Sequence, residues 1–146
     1  MPAQFHRSDL SFFYPDNWAV DEDEVSGGRS VTVYSPGGGF WSVAVYHDLA
    51  DPSHLADAAL EAMQKEYKDL EVQPVAETLA GRQMSGYDLN FFLLDFTNTA
   101  QIRSVQYDRM AYTILCQAED REFEQMQRVF QAITVSLLNG LNDRYS

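Results

Sequence analysis

The stretch Met110-Ala111-Tyr112-Thr113-Ile114-Leu115-Cys116-Gln117 decides the fold, because it reads as an extended strand that is apolar on both sides. Met110, Tyr112, Ile114 and Cys116 alternate with Ala111, Thr113 and Leu115, so neither face can be left to water. Within Arg82 to Phe96, the run Leu89-Asn90-Phe91-Phe92-Leu93-Leu94 has the same two-sided character. Such strands need a covering layer on each face, and the chain offers two amphipathic helices to supply it. The first starts at Asp51-Pro52, with Asp as N-cap and Pro at the first helical position. Leu55, Ala59, Ala62, Met63, Tyr67 and Leu70 then recur along one face. The second opens near Glu119-Asp120 and buries Phe123, Met126, Phe130, Ile133 and Leu137. Asn139-Gly140 is expected to stop it ahead of a loose tail.

The other segments are shorter. Leu10 to Tyr14 is an aromatic run that ends at the turn Pro15-Asp16-Asn17. Trp18-Ala19-Val20 resumes an extended course into Asp21-Glu22-Asp23-Glu24, and Gly27-Gly28 breaks it. Ser30 to Ser35 and Phe40 to His47 alternate on either side of Pro36-Gly37-Gly38-Gly39 and read as a hairpin. Trp41, Val43 and Val45 share its inner face. Pro74 inside Val72 to Leu79 marks an edge strand, Ala80-Gly81 turns the chain, and Asp108-Arg109 is a two-residue hairpin loop after Gln101 to Tyr107. The order is four short strands, a helix, four strands and a closing helix. It predicts an α+β fold, an antiparallel sheet of about six or more strands sandwiched between two main helices. No repeat or linker divides the chain, so residues 1–146 are read as a single domain with an ordered core over roughly 8–138 and a flexible start.

A 45% apolar and 13% aromatic composition suits a packed core rather than disorder. No stretch approaches the roughly 20 apolar residues that span a bilayer. No secretory signal is visible at Met1-Pro2-Ala3-Gln4-Phe5-His6-Arg7, and one cysteine excludes an internal disulfide framework, so a cytoplasmic location is expected. The net charge of −12 disfavours nucleic acid and anionic membranes as partners. Acids outnumber bases 13 to 4 over residues 1–73 and only 9 to 6 over residues 74–146. That acidity either serves solubility alone or draws a basic protein to the first half.

Candidate chemistry is sparse. Cys116 lies in a strand expected at the centre, where a thiol behaves as a small hydrophobe. His47, Asp48, Asp51 and His54 fall within eight residues, yet Asp51 is taken as an N-cap and no second cluster completes a metal site. Pro36-Gly37-Gly38-Gly39 lacks the Lys-Ser/Thr of a phosphate loop and leads into a strand. Asp21 to Glu24 lacks the spacing of a calcium loop, and no Gly-x-Ser-x-Gly elbow is present. No metal, cofactor or catalytic set is expected, and the reading is non-enzymatic. The partner-binding candidates are Asp21, Glu22, Asp23 and Glu24, with the aromatics Tyr14 and Trp18 beside them, and packing over the sheet edge is the competing reading of these aromatics.

Phe12-Phe13-Tyr14-Pro15-Asp16-Asn17-Trp18, Phe40-Trp41-Ser42-Val43, the helix after Asp51-Pro52, Ala111-Tyr112-Thr113-Ile114 and the helix end Ile133-Thr134-Val135-Ser136-Leu137 together resemble the PsbP-like/Mog fold family. The resemblance covers roughly residues 8–138 and rests on structural patterns rather than catalytic motifs. It implies a sheet between helices and non-enzymatic work through protein contacts. Branches of the family bind a small nuclear GTPase, serve the photosynthetic oxygen-evolving complex or act as chaperones for type VI secretion effectors. No catalytic residues carry over. The expectation is therefore a protein-binding adaptor or chaperone-like domain, monomeric or a homodimer, with a possibly basic protein partner. The alternative is a small-molecule or lipid-binding module that uses a pocket between sheet and helix.

Overall fold

The computed structural model describes residues 2–25, 27–47 and 52–145, and the side chains of all of these except 52 and 53. Nine strands and two helices follow one another as β1 (Pro2–Arg7), β2 (Leu10–Pro15), β3 (Ala19–Val25), β4 (Gly28–Tyr34), β5 (Phe40–His47), α1 (Pro52–Glu66), β6 (Glu71–Leu79), β7 (Arg82–Leu93), β8 (Phe96–Tyr107), β9 (Met110–Glu119) and α2 (Asp120–Arg144). Seven strands form one antiparallel sheet in the order β3-β4-β5-β9-β8-β7-β6, and β1 pairs with β2 in a separate two-stranded sheet. The last strand thus returns to the middle, beside β5. Between them α1 carries the chain across β9, β8 and β7 to the far edge.

This order explains why β9 is apolar on both sides. Tyr112, Ile114, Cys116 and Ala118 join the core under α2, where Phe123, Phe130, Ile133 and Leu137 meet Val31, Val33, Trp41, Val43 and Val45. On the opposite face Leu115 joins Leu89, Phe91, Ala100 and Ile102 beneath Ala56 and Met63 of α1. The expected α/β/α sandwich is present. Trp41 is fully buried, its ring tilted against Phe12 at 4.8 Å, and its Nε1 donates to Thr134 Oγ1 at 2.9 Å. The β4–β5 hairpin turns through Pro36–Gly39, with Ser35 N donating to Gly39 O at 2.8 Å. β6, with Pro74, is indeed a terminal strand, and Asp108-Arg109 joins β8 to β9.

Several expectations fail, each for a long-range reason. The start forms a strand: β1 pairs along β2 from Pro2↔Pro15 to Arg7↔Leu10, and Phe5 is buried in a stack on Phe12 at 5.2 Å. Gly140 does not end α2, which runs on to Arg144. A glycine inside a helix costs about 1 kcal/mol, and burial of Leu141 offsets it. α1 stops at Glu66, although Tyr67 and Leu70 still pack beneath it. The Asp51 cap lies outside the described residues.

Gly86 answers to a close approach within the sheet. It stands opposite Arg103, and a Cβ there would collide with the Ile102 carbonyl oxygen, a backbone atom that cannot swing aside. We expect Gly86→Ala to lower stability by about 2–3 kcal/mol, read as a lower urea midpoint at unchanged m-value.

Candidate functional site

The acidic candidates lie on β3, the outer strand of the large sheet, whose second backbone edge is unpaired within it. The pairings Asp21↔Thr32, Glu22↔Val31, Asp23↔Ser30 and Glu24↔Arg29 put Asp21 and Asp23 on one face and Glu22 and Glu24 on the other. The four acids therefore do not form one patch. Arg7 Nη2 donates to Glu22 at 2.9 Å, Arg29 Nη1 lies 3.9 Å from Glu22, and Arg29 also pairs with Asp9. Glu22 thus ties the β1–β2 hairpin to the sheet. Asp23 Oδ1 accepts from the Glu24 backbone N–H at 2.8 Å. Trp18, a partner-binding candidate with packing as its competing reading, is buried, with its ring edge-on to Phe130 at 5.9 Å. Helix α2 covers Trp18, while Asp16 and Asn17 of the preceding turn stay exposed. Tyr14 is half-buried.

Between sheet and α2 lies a polar cavity of about 130 Å³ lined by Glu77, Gln101, Arg103, Cys116, Gln131 and their neighbours. It is smaller than the roughly 300–1,000 Å³ of small-molecule sites and has room for a few waters. Arg103 is buried and four of its five N–H donors are engaged: Nε reaches Glu77 at 2.8 Å, Nη2 reaches Asp88 at 2.8 Å, and Nη1 reaches the carbonyls of Ile102 and Tyr87 at 3.0 and 3.2 Å. Burial works to lower its pKa, but the hydrogen bonds and charges of Glu77 and Asp88 outweigh burial and hold it above the ordinary arginine value. Burial pushes the Cys116 thiol up to about 12. A protonated thiol next to Gln101 Oε1 at 3.7 Å is a poor nucleophile. Among the described residues, no group of three His, Cys, Asp or Glu could hold a metal ion.

The residues that sequence reasoning missed are at the tip of the β7–β8 hairpin. Leu89 and Phe91 are buried under α1 as expected, but the same run then leaves the core. Phe92 is 71% exposed, Leu94 84% and Phe96 61%. Leu94 and Asp95 form a two-residue loop with φ of 51° and 67°. Two positive φ values match the twist of flanking strands, yet such loops favour Asn-Gly, and a leucine is strained there. With neither Gly nor Asn to mark a turn, the run reads as continuous strand. Asn90 Nδ2 donates to Thr99 Oγ1 at 3.0 Å, and that hydroxyl donates to Asp120 Oδ1 at 2.8 Å, which anchors the hairpin root to the start of α2. Asp69, Glu71 and Asp120 surround the root, and Asp95 sits at the tip itself.

A second apolar feature is an open groove of about 520 Å³ between the end of the β1–β2 hairpin and the outer side of α2. Its walls are Pro2, Phe13, Tyr14, Pro15, Val129, Ala132 and Ile133, with Arg128, Asp16 and Asn17 at the rim. Phe13 is 47% exposed in it.

No protein-family model and no curated protein sequence matches this chain. Solved structures do. CyanoP, the cyanobacterial PsbP of Synechocystis sp. PCC 6803, superposes with a TM-score of 0.64 at 12% identity over 92% of this chain and 90% of its own. The fold is PsbP-like. LpqN of Mycobacterium tuberculosis, involved in cell envelope biogenesis, is similar with a TM-score of 0.59 at 14% identity, covering 91% of this chain and 87% of LpqN. A Pseudomonas aeruginosa protein of unknown function, PA94, gives 0.54 at 8% identity over 93% and 95%. At such identities a PsbP-like likeness is one of fold and not of site. Among the described residues no helix is long and apolar enough to cross a membrane.

Two substitutions separate frame from surface in this PsbP-like chain. Arg103→Met should cost about 3 kcal/mol, the low end for a broken buried ion pair, because Glu77 and Asp88 keep access to water. Leu94→Asn should instead raise stability by about 0.5–1 kcal/mol, since asparagine tolerates positive φ. Urea unfolding of both variants beside the parent chain measures each change.

Proposed function

We propose that this chain is a non-enzymatic protein-binding domain, an adaptor or chaperone-like module of the cytoplasm, that docks its partner through the β7–β8 tip. The observation that carries this reading is the exposure of Phe92, Leu94 and Phe96 on a rigid, strained turn. Burying a side chain of that size is worth roughly 1.5–3 kcal/mol, and the register sets Phe92 on one face of the hairpin and Phe96 with Leu93 on the other, so a partner would grip the tip from both sides. Asp95 lies at the tip itself, and Asp69, Glu71 and Asp120 border the hairpin root. The matching surface is an apolar pocket with a basic rim on a protein. The same acids and the net charge of −12 disfavour anionic membranes and nucleic acid. Asp21, Asp23 and Glu24 on the open β3 edge add long-range attraction for a basic partner. The Mog-like link has the sequence pattern as its sole support.

The ligand-binding alternative draws less support. The space between sheet and helix is small and polar. The observation in its favour is the apolar groove outside α2, whose size suits a small molecule or lipid chain.

Affinity capture from lysate of the native source, at low and moderate salt, tests the reading. The parent chain should retain one stoichiometric protein, and the double variant Leu94→Asn/Phe96→Thr should lose it at least about tenfold while folding normally. Retention by that variant, with loss on reversing Asp21 and Glu24 to lysine, would move docking to β3. No partner at either salt overturns the protein-binding reading.

A further inference from the structure

The tip and the groove are exposed apolar features of one molecule, and their chemistry is complementary. The tip presents Phe92 on one face of the hairpin and Phe96 on the other, with Leu94 and the carboxylate of Asp95 at its apex. The groove presents carbon walls from Phe13, Pro15, Val129 and Ala132, with the guanidinium of Arg128 on its α2 side and the carboxylate of Asp16 on its hairpin side. We propose that the β7–β8 tip of one molecule seats in the Phe13–Val129 groove of a second copy of this chain, with Asp95 meeting Arg128. This inference rests on reading the tip as a docking element, and it names the occupant.

A molecule cannot satisfy itself this way. The tip is pinned by the ladder pairs Phe92↔Thr97 and Leu93↔Phe96, and its root lies at Asp120, the first residue of α2. The groove lies at residues 128–133 of the same helix, about 12–20 Å further along its axis at 1.5 Å per residue. The exposures of 71% at Phe92 and 84% at Leu94 agree, since a filled groove would hide the tip. The contact pairs two different patches and is therefore heterologous: each molecule offers a tip forward and a groove behind, so association grows into a ring or a chain. Two chains of −12 repel each other, and salt screens that repulsion. Self-association therefore strengthens from low to moderate salt, whereas capture of a basic partner weakens.

Sedimentation velocity and light scattering on the full chain across a dilution series test this. The average mass should rise with concentration at moderate salt. Leu94→Asn/Phe96→Thr and, separately, Ala132→Glu should each weaken association at least about tenfold. Mixing these two variants should give a 1:1 dimer that grows no further, because one intact tip and one intact groove remain. Arg128→Glu is the second groove variant should Ala132→Glu fail to fold, as judged by circular dichroism. A parent chain that stays monomeric at every concentration and salt overturns the proposal. So does assembly that survives both lesions, or a mixture of variants that stays monomeric. If the parent is monomeric and yet loses its lysate partner through the tip variant, self-docking fails and the protein-binding reading stands.

Discussion

β9 is buried on both faces, and most of the architecture follows from covering it. Tyr112, Ile114 and Cys116 require an apolar layer on one side, and Leu115 requires another on the opposite side. A strand of this kind cannot lie at a sheet margin, so it takes the middle, with β5 and β8 as neighbours. Once β9 is central, β6 and β3 become the edges. α1 must then carry the chain from β5 over β9, β8 and β7, and that path places it on the face that needs it. α2 follows directly from β9 and folds back over the other face, where Trp41, Phe12 and Thr134 lock it in register.

Polar groups inside the sandwich serve the same frame. Arg103 stands on β8 between β7 and β9, and Glu77, Asp88 and two carbonyls take up its guanidinium. Four of the five N–H donors of this buried guanidinium are held by protein acceptors. Cys116 beside it is held as a thiol by burial. The exposed apolar and charged features described above lie at the margins: the β3 edge, the groove by Tyr14 and the β7–β8 tip.

The candidate site was legible in part. Composition and run length announced the acids of β3, but only the pairing with β4 shows that they split between two faces and that Arg7 and Arg29 hold Glu22. Tyr14 does border a groove, whereas Trp18 is core, because α2 reaches back across a separation of more than a hundred residues to cover it. The tip went unseen for a local reason. Leu94 and Asp95 take a turn geometry that their side chains do not favour, and the apolar run through them carries no break.

What the sequence by itself determined is what short-range periodicity encodes. Alternation set β4, β5 and β9, helical spacing set α1 and most of α2, Pro36–Gly39 set a hairpin, and Pro74 confined β6 to an edge. Tertiary structure alone decided the rest: that residues 2–7 form a strand on β2, that α2 passes through Gly140 to bury Leu141, and that Phe92, Leu94 and Phe96 face outward. Each of these depends on contacts between residues far apart in the chain. Their free energy outweighs local preferences of about 1 kcal/mol, and no local pattern records them.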